Sequence, residues 1–321
     1  MLFDEKIAAF IKDSVLPHHT CVVAVSGGAD SMALLCLMQG LQEKYHFFKQ
    51  IMAATVDHGL RVESHLEAAQ VKMWCASLGI NHVTLVWEGD KPKSGVQAKA
   101  RQARYDLLTH HCKEKGAKYL MTAHHFDDQC ETFFLRLLKG SGVQGLRGMR
   151  AIQNKKNITL LRPFLSITKK ECLDYLEKIS QAYLHDPSND NLDFERVKMR
   201  QMLSDLSQKG LDTQAIGSTI HHCEEVSDFI ERGAGPFIEK ILKEKKLVMD
   251  DFSRLDVFLQ KHILRQVAWA LSQKDYPPRF RDVEAILHAI EHQENFTFAG
   301  YIWRFKGGIY TLIKEKRREK E

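Results

Sequence analysis

The sequence lacks the features that mark several large classes of protein. No apolar run reaches the roughly 20 residues that a membrane-spanning helix needs. The opening segment Met1–Phe10 carries Asp4 and Glu5, unlike a secretory signal peptide. The charge imbalance is small, with a formal net charge of +5 at pH 7. We therefore expect a cytoplasmic protein with no membrane partner, whose charge permits an RNA partner without requiring one.

Paired cysteines are missing as well. The chain has seven cysteines in 321 residues, and no two of them form a Cys-x-x-Cys pair. Such pairs are the usual ligands of zinc ribbons and of iron–sulfur clusters, and even numbers at close spacings are typical of disulfide-rich secreted domains. The cysteine pattern therefore indicates reduced thiols inside a cell.

One glycine-rich loop lacks both of the common nucleotide-binding signatures. The loop is Ser26-Gly27-Gly28-Ala29-Asp30-Ser31, and it separates the apolar runs Cys21–Val25 and Met32–Met38. It has no Gly-x-x-x-x-Gly-Lys-Ser/Thr pattern, so the lysine that reaches the terminal phosphates in P-loop kinases is absent. It also has no Gly-x-Gly-x-x-Gly pattern, the fingerprint of dinucleotide-binding domains.

The residues around this loop still predict an anion site. A β-branched run, a glycine turn and a helix-forming segment predict a strand, a loop and a helix start. Glycines let the backbone approach a ligand, and the unpaired N–H groups of a helix start attract negative charge. A simpler interpretation is a turn that only caps the helix, with Ser31 as the cap and Asp30 as a first-turn acid. Three hydroxyl or carboxyl groups around a glycine pair favour a phosphate ligand.

Apolar runs of strand length alternate with helical patterns over the first part of the chain. This alternation predicts an α/β fold, a doubly wound parallel sheet of the Rossmann-like kind. From about Gln208 the pattern changes to helices without intervening strands, closed by a β-hairpin within Phe296–Ile313. We expect a catalytic domain over residues 1–207 and a second, mainly helical domain over residues 208–321. The predicted strands are Cys21–Val25, Ile51–Val56, His82–Trp87, Tyr119–Ala123 and Ile158–Leu161.

Polar clusters follow three of these strands, where ligands bind on such sheets. They are Ser26–Ser31, Asp57–Arg61 and His124–Asp128. From the last cluster onward, helical spacing places an imidazole and up to three carboxylates on one helix face. Solvated acids at a helix start are the simpler interpretation, and Mg²⁺ shared with ATP phosphates is another. The residues on that face are His124, Asp127, Asp128 and Glu131.

Basic residues form two further clusters. Arg101 and Arg104 lie at helical spacing beside Tyr105, where they could bind phosphates or could form a solvated face. The loop Gly140–Gly148 is flanked by basic side chains and is typical of an adaptable site for a polyanion. These flanking residues are Arg136, Lys139, Arg147 and Arg150. Further along, Asp186–Asp190 predicts a turn, and Arg196 and Arg200 follow it at a spacing of four.

Taken together, these motifs resemble those of the tRNA(Ile)-lysidine synthetases, members of the PP-loop ATP pyrophosphatase superfamily. The glycine loop alone would identify only the superfamily. Cys130 and the Phe133-Phe134 pair stand where the family more often has alanine and smaller or aliphatic residues, and Val197 stands where an asparagine is usual. The segments that carry the resemblance are Ser26–Ser31, Val56–Arg61, Ala100–Tyr105, Ala123–Thr132, Gly140–Met149, Arg162–Phe164 and Asp186–Arg200.

The resemblance implies ATP-dependent ligation of free L-lysine to the wobble cytidine of an isoleucine tRNA with a CAU anticodon. It implies that ATP is bound by Ser26, Gly27, Gly28, Ala29, Asp30, Ser31, Asp57 and His58, with Mg²⁺ at Asp30. It implies catalytic roles for Asp30, Arg101, Arg104, Asp127, Asp128 and Glu131, of which the last three also bind lysine. It implies contacts to tRNA or the adenylate from His58, Arg61, His124, Arg136, Arg196 and Arg200. The helical domain is expected to contact tRNA, and a homodimer is compatible with the resemblance.

Two other functions fit part of the pattern. A PP-loop tRNA thiolase would activate a base in the same way but deliver sulfur. Its iron–sulfur forms need paired cysteines, and its persulfide forms need a reactive cysteine, for which Cys130 is the one candidate near the site. A non-enzymatic, ATP-dependent RNA-binding protein would explain the glycine loop but not the acidic cluster.

Overall fold

The computed structural model describes residues 3–59, 63–89, 91, 94–155, 157–185, 195–272, 278 and 280–315. The chain forms two compact units, Met1–His222 and Cys223–Glu321. Their boundary falls inside the long helix α9 (Thr213–Glu244), which begins after the division expected at residues 207 and 208. Within the described part, no helix combines the length and apolar character needed to cross a membrane. The predicted site residue Arg61 and the predicted turn Asp186–Asp190 lie outside the described residues.

The first unit is built on a six-stranded sheet. Its strands are β1 (Thr20–Ala24), β2 (Gln50–Asp57), β3 (Asn81–Val86), β4 (Ala117–Met121), β5 (Ile152–Lys155) and β6 (Ile158–Leu161). They lie in the order β3-β2-β1-β4-β6-β5, and all neighbours are parallel except β5 and β6. The five predicted strands are confirmed. The sheet also has an antiparallel edge strand that the sequence did not predict, β5, whose polar residues, such as Gln153 and Asn154, give no apolar run.

Helices cover both faces of this sheet, as the doubly wound prediction requires. Val22 and Val23 of β1 enter two different apolar clusters because successive strand residues point to opposite faces. Leu34 lies in the first of these clusters and Leu108 in the second. The helices are α1 (Phe3–Ser14), α2 (Ala29–Tyr45), α3 (Ser64–Ser77), α4 (Val96–Glu114), α5 (Phe126–Leu138), α6 (Val143–Leu146), α7 (Lys169–Lys178) and α8 (Glu195–Gln208), with a 3₁₀ turn at Pro163–Ser166.

The second unit combines helices with a small antiparallel sheet. Its described elements, besides the end of α9, are β7 (Lys246–Val248), α10 (Met249–Ser253), α11 (Val257–Ser272), α12 (Phe280–Glu291), β8 (Phe296–Phe298), β9 (Tyr301–Lys306) and β10 (Ile309–Lys314). The predicted hairpin is confirmed as β9 and β10, which place Trp303 and Tyr310 in the core. The expectation of helices without intervening strands is corrected by β7, which pairs with β10 and has only three residues.

Candidate active site

The loop after β1 is closed by its two serines. The Ser31 hydroxyl accepts a hydrogen bond from the Ser26 N–H at 3.1 Å and donates one to the Gly28 carbonyl at 2.9 Å. The Ser26 hydroxyl oxygen lies 3.2 Å from the same Ser31 oxygen. Ser31 is buried, so its hydroxyl fixes the shape of the loop.

Among the described residues, no side chain caps the helix that follows. Gly28 occupies the N-cap position of α2, and Ser31, which the simpler interpretation took as the cap, lies inside the helix. The first N–H groups of a helix have no partner within it, and they carry the positive end of the helix dipole. An uncapped helix start at the end of a buried strand is therefore suited to a phosphate.

A cleft opens beside this loop at the carboxyl ends of β1, β2 and β4. The cleft is lined by eight residues of the predicted site, namely Ser26, Asp30, Ser31, Asp57, His58, Arg104, His124 and Asp128. Thr55, Ser64 and Thr122 line it as well, although the sequence did not single them out. The remaining nine described residues of the predicted site do not line it: Gly27, Gly28, Ala29, Arg101, Asp127, Glu131, Arg136, Arg196 and Arg200.

A buried histidine that sequence reasoning assigned no role, His125, lies among three carboxylates. Its Nε2 lies 3.6 Å from Asp30 Oδ2 and 3.6 Å from Asp128 Oδ2, and its Nδ1 lies 3.3 Å from Asp127 Oδ2. Burial alone would lower the pKa of His125, but these three carboxylates outweigh it and raise the pKa above its ordinary value. His125 is therefore the cation that holds the acidic cluster together. This role could have been predicted from the sequence, because neighbouring carboxylates repel one another unless a positively charged group lies between them.

The preceding residue, His124, has the opposite electrostatic environment. Burial, together with the charges of Arg104, Arg162 and Arg101, lowers the pKa of His124 to about 3 against the opposing effect of Asp128. Its Nδ1 lies 2.9 Å from Thr122 Oγ1. His124 therefore presents a neutral imidazole to the cleft, a group that suits hydrogen bonding to a nucleobase.

Asp57 and His58 shape the far side of the cleft. Asp57 Oδ1 accepts hydrogen bonds from the Gly59 N–H at 2.8 Å and from the Ser64 hydroxyl at 2.6 Å. Burial raises the pKa of Asp57, but these two bonds outweigh it and lower the pKa. Burial and the nearby Arg104 lower the pKa of His58, whose ring lies edge-on to Trp87 with 6.0 Å between ring centres. Asp57 therefore stabilises the backbone that follows β2, and His58 presents an uncharged imidazole to the cleft.

Glu131 lies behind the wall of the cleft. Its side chain is 1% exposed, and Arg200 Nε donates to its Oε1 at 2.8 Å. Among the described residues, nothing hydrogen-bonds to its other oxygen, Oε2, which is also buried. Burial raises the pKa of Glu131, assisted by the charge of Asp128, and the nearby Arg200 only partly offsets this.

Arginines gather around Tyr105, and one of them, Arg104, lines the cleft. The guanidinium carbons of Arg101 and Arg104 lie 5.2 and 5.4 Å from the centre of the Tyr105 ring. Arg162 is buried and donates to the Arg150 carbonyl at 2.7 Å and to Gln153 Oε1 at 3.1 Å. Because these cations repel one another, an anion bound among them would be stabilised.

Arg136, which the sequence offered as an RNA contact, is used inside the protein. Its Nη1 donates to the Gly145 carbonyl at 2.6 Å and to the Gly148 carbonyl at 3.0 Å. It therefore fixes the glycine-rich loop after α5. Arg196 extends toward the acidic cluster instead, with its Nη1 3.9 Å from Asp128 Oδ1.

Comparisons with known proteins show the family of the chain. The PP-loop domain family matches residues 2–206. The tRNA(Ile)-lysidine synthase of Ruegeria pomeroyi is 34% identical over 307 residues, which cover 94% of this chain and 73% of that protein. The chain belongs to the tRNA(Ile)-lysidine synthase family.

Relatives in this family differ in how much of their length the chain matches. The tRNA(Ile)-lysidine synthase of Bradyrhizobium sp. BTAi1 is 39% identical over 209 residues, which are 65% of this chain and 58% of that protein. The chain thus spans less than two thirds of that relative. Among solved structures, the U34-tRNA thiolase NcsA from Methanococcus maripaludis has a TM-score of 0.60 at 15% identity, covering 70% of this chain and 77% of that one. That likeness shows the PP-loop fold.

The PP-loop of this tRNA(Ile)-lysidine synthase family member has no room for a side chain at Gly27. Its φ is +88°, and a Cβ there would lie 2.5 Å from Leu184 Cδ1 and 2.9 Å from Val71 Cγ2. Gly27→Ala should therefore destabilise the protein by about 1–3 kcal/mol, because it combines backbone strain with overpacking. Urea unfolding of the two proteins measures this difference. Gly28→Ala is the matched control, since its Cβ would meet only Ser26 Oγ at 3.6 Å, and equal losses in both variants would contradict the prediction.

His125 predicts a pH-dependent contribution to stability. Its pKa is raised in the folded protein, so its stabilisation is complete below the unfolded value of about 6.5 and is lost as the pH rises through the folded value. His125→Gln should destabilise the protein by about 1–3 kcal/mol at pH 6 and by less at pH 8.5. Chemical denaturation at both pH values tests this. His124→Gln should show the opposite trend, because the pKa of His124 is lowered, and parallel trends would contradict both assignments.

Proposed function

We propose that the chain uses ATP to join free L-lysine to C2 of the wobble cytidine in the CAU anticodon of an isoleucine tRNA. AMP and pyrophosphate are released. One observation carries this proposal: the uncapped start of α2 and the acidic start of α5 meet at a single cleft. An anion-binding loop suits ATP, and an acidic wall beside it suits a cationic second substrate.

The first step activates the base. The C2 carbonyl oxygen of cytosine attacks the α-phosphorus of ATP, an O–P bond forms, the bond between the α-phosphorus and the bridging oxygen breaks, and pyrophosphate leaves. The free N–H groups at the start of α2 would stabilise the charge of the departing group. Arg104 lines the cleft and would contact the α-phosphate, while the neutral His124 would contact the base.

Mg²⁺ fits the residues of this cleft. The carboxylates of Asp30 and Asp128 both line it, and both approach the same nitrogen of His125. Carboxylate oxygens are the ligands that Mg²⁺ prefers beside substrate phosphates. Asp30 would hold the ion, with Asp128 in support, and the ion would offset phosphate charge.

The second step transfers lysine. The ε-amine attacks C2, a C–N bond forms, the C2–O bond to the adenylate breaks, AMP leaves and the amine gives up a proton. Asp128 would anchor the incoming amine, since the charge of His125, with support from that of Arg196, outweighs burial and keeps the pKa of Asp128 low. Glu131 does not line the cleft, so it would take up the proton by relay and not directly from the amine; its raised pKa favours holding that proton. Asp127 would position the site, as its Oδ2 accepts a hydrogen bond from the Lys169 N–H at 2.8 Å.

The tRNA would reach this cleft along the basic start of α8. Arg196 and Arg200 have side chains that are 45% and 50% exposed, so each can pair with a carboxylate and still meet a phosphate. The second unit would add further tRNA contacts. A homodimer stays a prediction, which light scattering of the purified chain would test.

A direct assay tests the proposed function. The chain is incubated with ATP, labelled lysine and an isoleucine tRNA transcript that carries the CAU anticodon, and lysine incorporation, AMP and pyrophosphate are measured together. We expect equal amounts of all three products. The same transcript with uridine at the wobble position is the control and should give none. ATP cleavage without lysine transfer, or lysine transfer to the control, would overturn the proposal.

Cys130 distinguishes this function from a persulfide-forming thiolase. The side chain is buried, and burial raises the pKa of the thiol to about 12, so a reactive thiolate is strongly disfavoured. Cys130→Ala should leave lysine incorporation within about threefold of the native rate, with a stability loss of roughly 1 kcal/mol from packing. Sulfur transfer to tRNA by the native chain, lost in a folded Cys130→Ala protein, would favour the thiolase. A protein that only binds ATP and RNA would release no pyrophosphate in the same assay.

A further inference from the structure

The loop sequence lacks a phosphate-binding lysine, but Lys169, from a distant part of the chain, contacts the loop residue Asp30. Lys169 is the first residue of α7 and lies 139 positions from Asp30 along the chain. Its Nζ donates to both carboxylate oxygens of Asp30, at 2.7 and 2.9 Å. Asp30 belongs to the PP-loop and lines the cleft. An ammonium group therefore stands directly beside the predicted phosphate site.

The stability of α7 does not explain this placement. Thr168 and Glu171 already cap the helix, with the Thr168 N–H donating to Glu171 Oε2 at 2.8 Å and the Glu171 N–H donating to Thr168 Oγ1 at 3.2 Å. A cation in the first turn lies at the positive end of the helix dipole, which is unfavourable. The ion pair itself is partly solvated, with the Lys169 side chain 41% exposed and that of Asp30 27% exposed. Pairs of this kind contribute little to stability.

Three helix starts converge on this ion pair. Asp30 lies in the first turn of α2, and Lys169 begins α7. The Lys169 N–H donates to Asp127, which lies in the first turn of α5. Each helix start carries a partial positive charge, and the ammonium adds a full one. The carboxylates of Asp30 and Asp127 offset this positive charge, so the ammonium becomes available to an anionic ligand once it leaves Asp30.

We propose that Lys169 binds the pyrophosphate portion of ATP. Its ammonium leaves Asp30 when ATP enters and donates hydrogen bonds to the β- and γ-phosphate oxygens, and the Asp30 carboxylate becomes available to Mg²⁺. Lys169 thereby takes the role that a loop lysine has in P-loop enzymes. The inference rests on the proposed function only in taking ATP as the ligand of the cleft.

Calorimetric titrations of pyrophosphate and of AMP, each without tRNA and lysine, test this inference. Lys169→Met should weaken pyrophosphate binding by on the order of tenfold to a hundredfold, the usual effect of losing a hydrogen bond to a charged group. AMP affinity should stay within about threefold. Lys170→Met changes the exposed neighbour and should alter neither affinity. Unchanged pyrophosphate binding, or an equal loss for AMP, would overturn the inference.

A second comparison separates a direct contact from an effect through Asp30. If Lys169 contacts the phosphates, Lys169→Met still weakens pyrophosphate binding when Asp30 is already asparagine, in buffer without Mg²⁺. If that weakening disappears, Lys169 acts only by neutralising Asp30, and the inference is wrong.

Chemical labelling tests the same contact in the unmodified chain. Acetylation of Lys169, read by mass spectrometry, should be slowed by pyrophosphate and not by AMP, whereas equal labelling would refute the contact. Loss of lysidine formation alone, with these binding results intact, would refute only the proposed function.

Discussion

Replacing Asp128 with asparagine is expected to lower lysine incorporation by about a thousandfold or more while the fold is preserved. Its carboxylate lines the cleft, lies 3.6 Å from His125 Nε2 and is 15% exposed. The neutral amide keeps the shape but cannot balance His125 or attract an ammonium group. Removing a buried charge that acts only at the reacting centre has effects of this size. Single-turnover lysine transfer and thermal unfolding should be measured on the same preparation.

Asp127→Asn is the matched control for this prediction. Asp127 is adjacent in sequence and also contacts His125, but its side chain is 49% exposed and does not line the cleft. Asp127→Asn should lower lysine incorporation about tenfold or less, because the asparagine amide oxygen can still accept the hydrogen bond from the Lys169 N–H. Equal losses in the two variants would mean that the cluster acts only as a structural unit, and the assignment of Asp128 would fail.

The sheet could be predicted from the sequence because its parallel strands are largely apolar runs of strand length, most clearly in β1 and β4. Burial on both faces requires such runs, and they stand out from any amphipathic helix. The strands β5 and β7 could not be predicted in this way. The first is a polar edge strand, and the second has three residues, so neither leaves a periodic signal.

The site was predictable to the extent that its residues follow strand ends. Ser26, Asp30, Ser31, His58 and His124 all line the cleft for this reason. Partners that come from distant segments leave no such signal. Lys169 contacts Asp30, and Arg200 contacts Glu131, because of the way the helices pack. The spacing of residues along the chain does not show this packing. The protonation states of the two adjacent histidines likewise depend on which charges surround each ring.

The charges around His125 link the two proposed steps. Among the described residues, Asp30, Asp127 and Asp128 lie beside three cations, His125, Lys169 and Arg196. Withdrawal of Lys169 toward pyrophosphate would leave this cluster more negative. A cluster with unbalanced negative charge attracts an ammonium group. ATP binding would thus prepare the site for lysine.

Glu131→Gln is expected to lower lysine incorporation by at least about a hundredfold while making the protein more stable at pH 7.5 by roughly 1 kcal/mol. The carboxylate is fully buried, and one of its oxygens has no partner among the described residues. Its pKa is raised in the folded state, so the unfolded chain releases this proton first and stability falls as the pH rises above about 4.3. The glutamine amide carries no charge, so it avoids the loss of stability that comes from ionising a buried carboxylate. It also cannot accept a proton, so activity is lost. Urea unfolding from pH 4.5 to 7.5 and lysine transfer rates measure both effects.

Glu195→Gln provides the comparison with a solvent-exposed pair. Glu195 lies 3.2 Å from Lys139, and both side chains are more than half exposed, so this change should alter stability by less than about 0.5 kcal/mol at any pH. The advantage of Glu131→Gln should grow with pH, because the native chain loses stability as the buried carboxylate ionises. Arg200 is half exposed, so water can solvate it once its partner is neutral. If Glu131→Gln were less stable than the native chain at pH 7.5, the ion pair with Arg200 would be the reason for a buried carboxylate there. A more stable but inactive variant would show that the carboxylate is retained for chemistry at a cost to the fold.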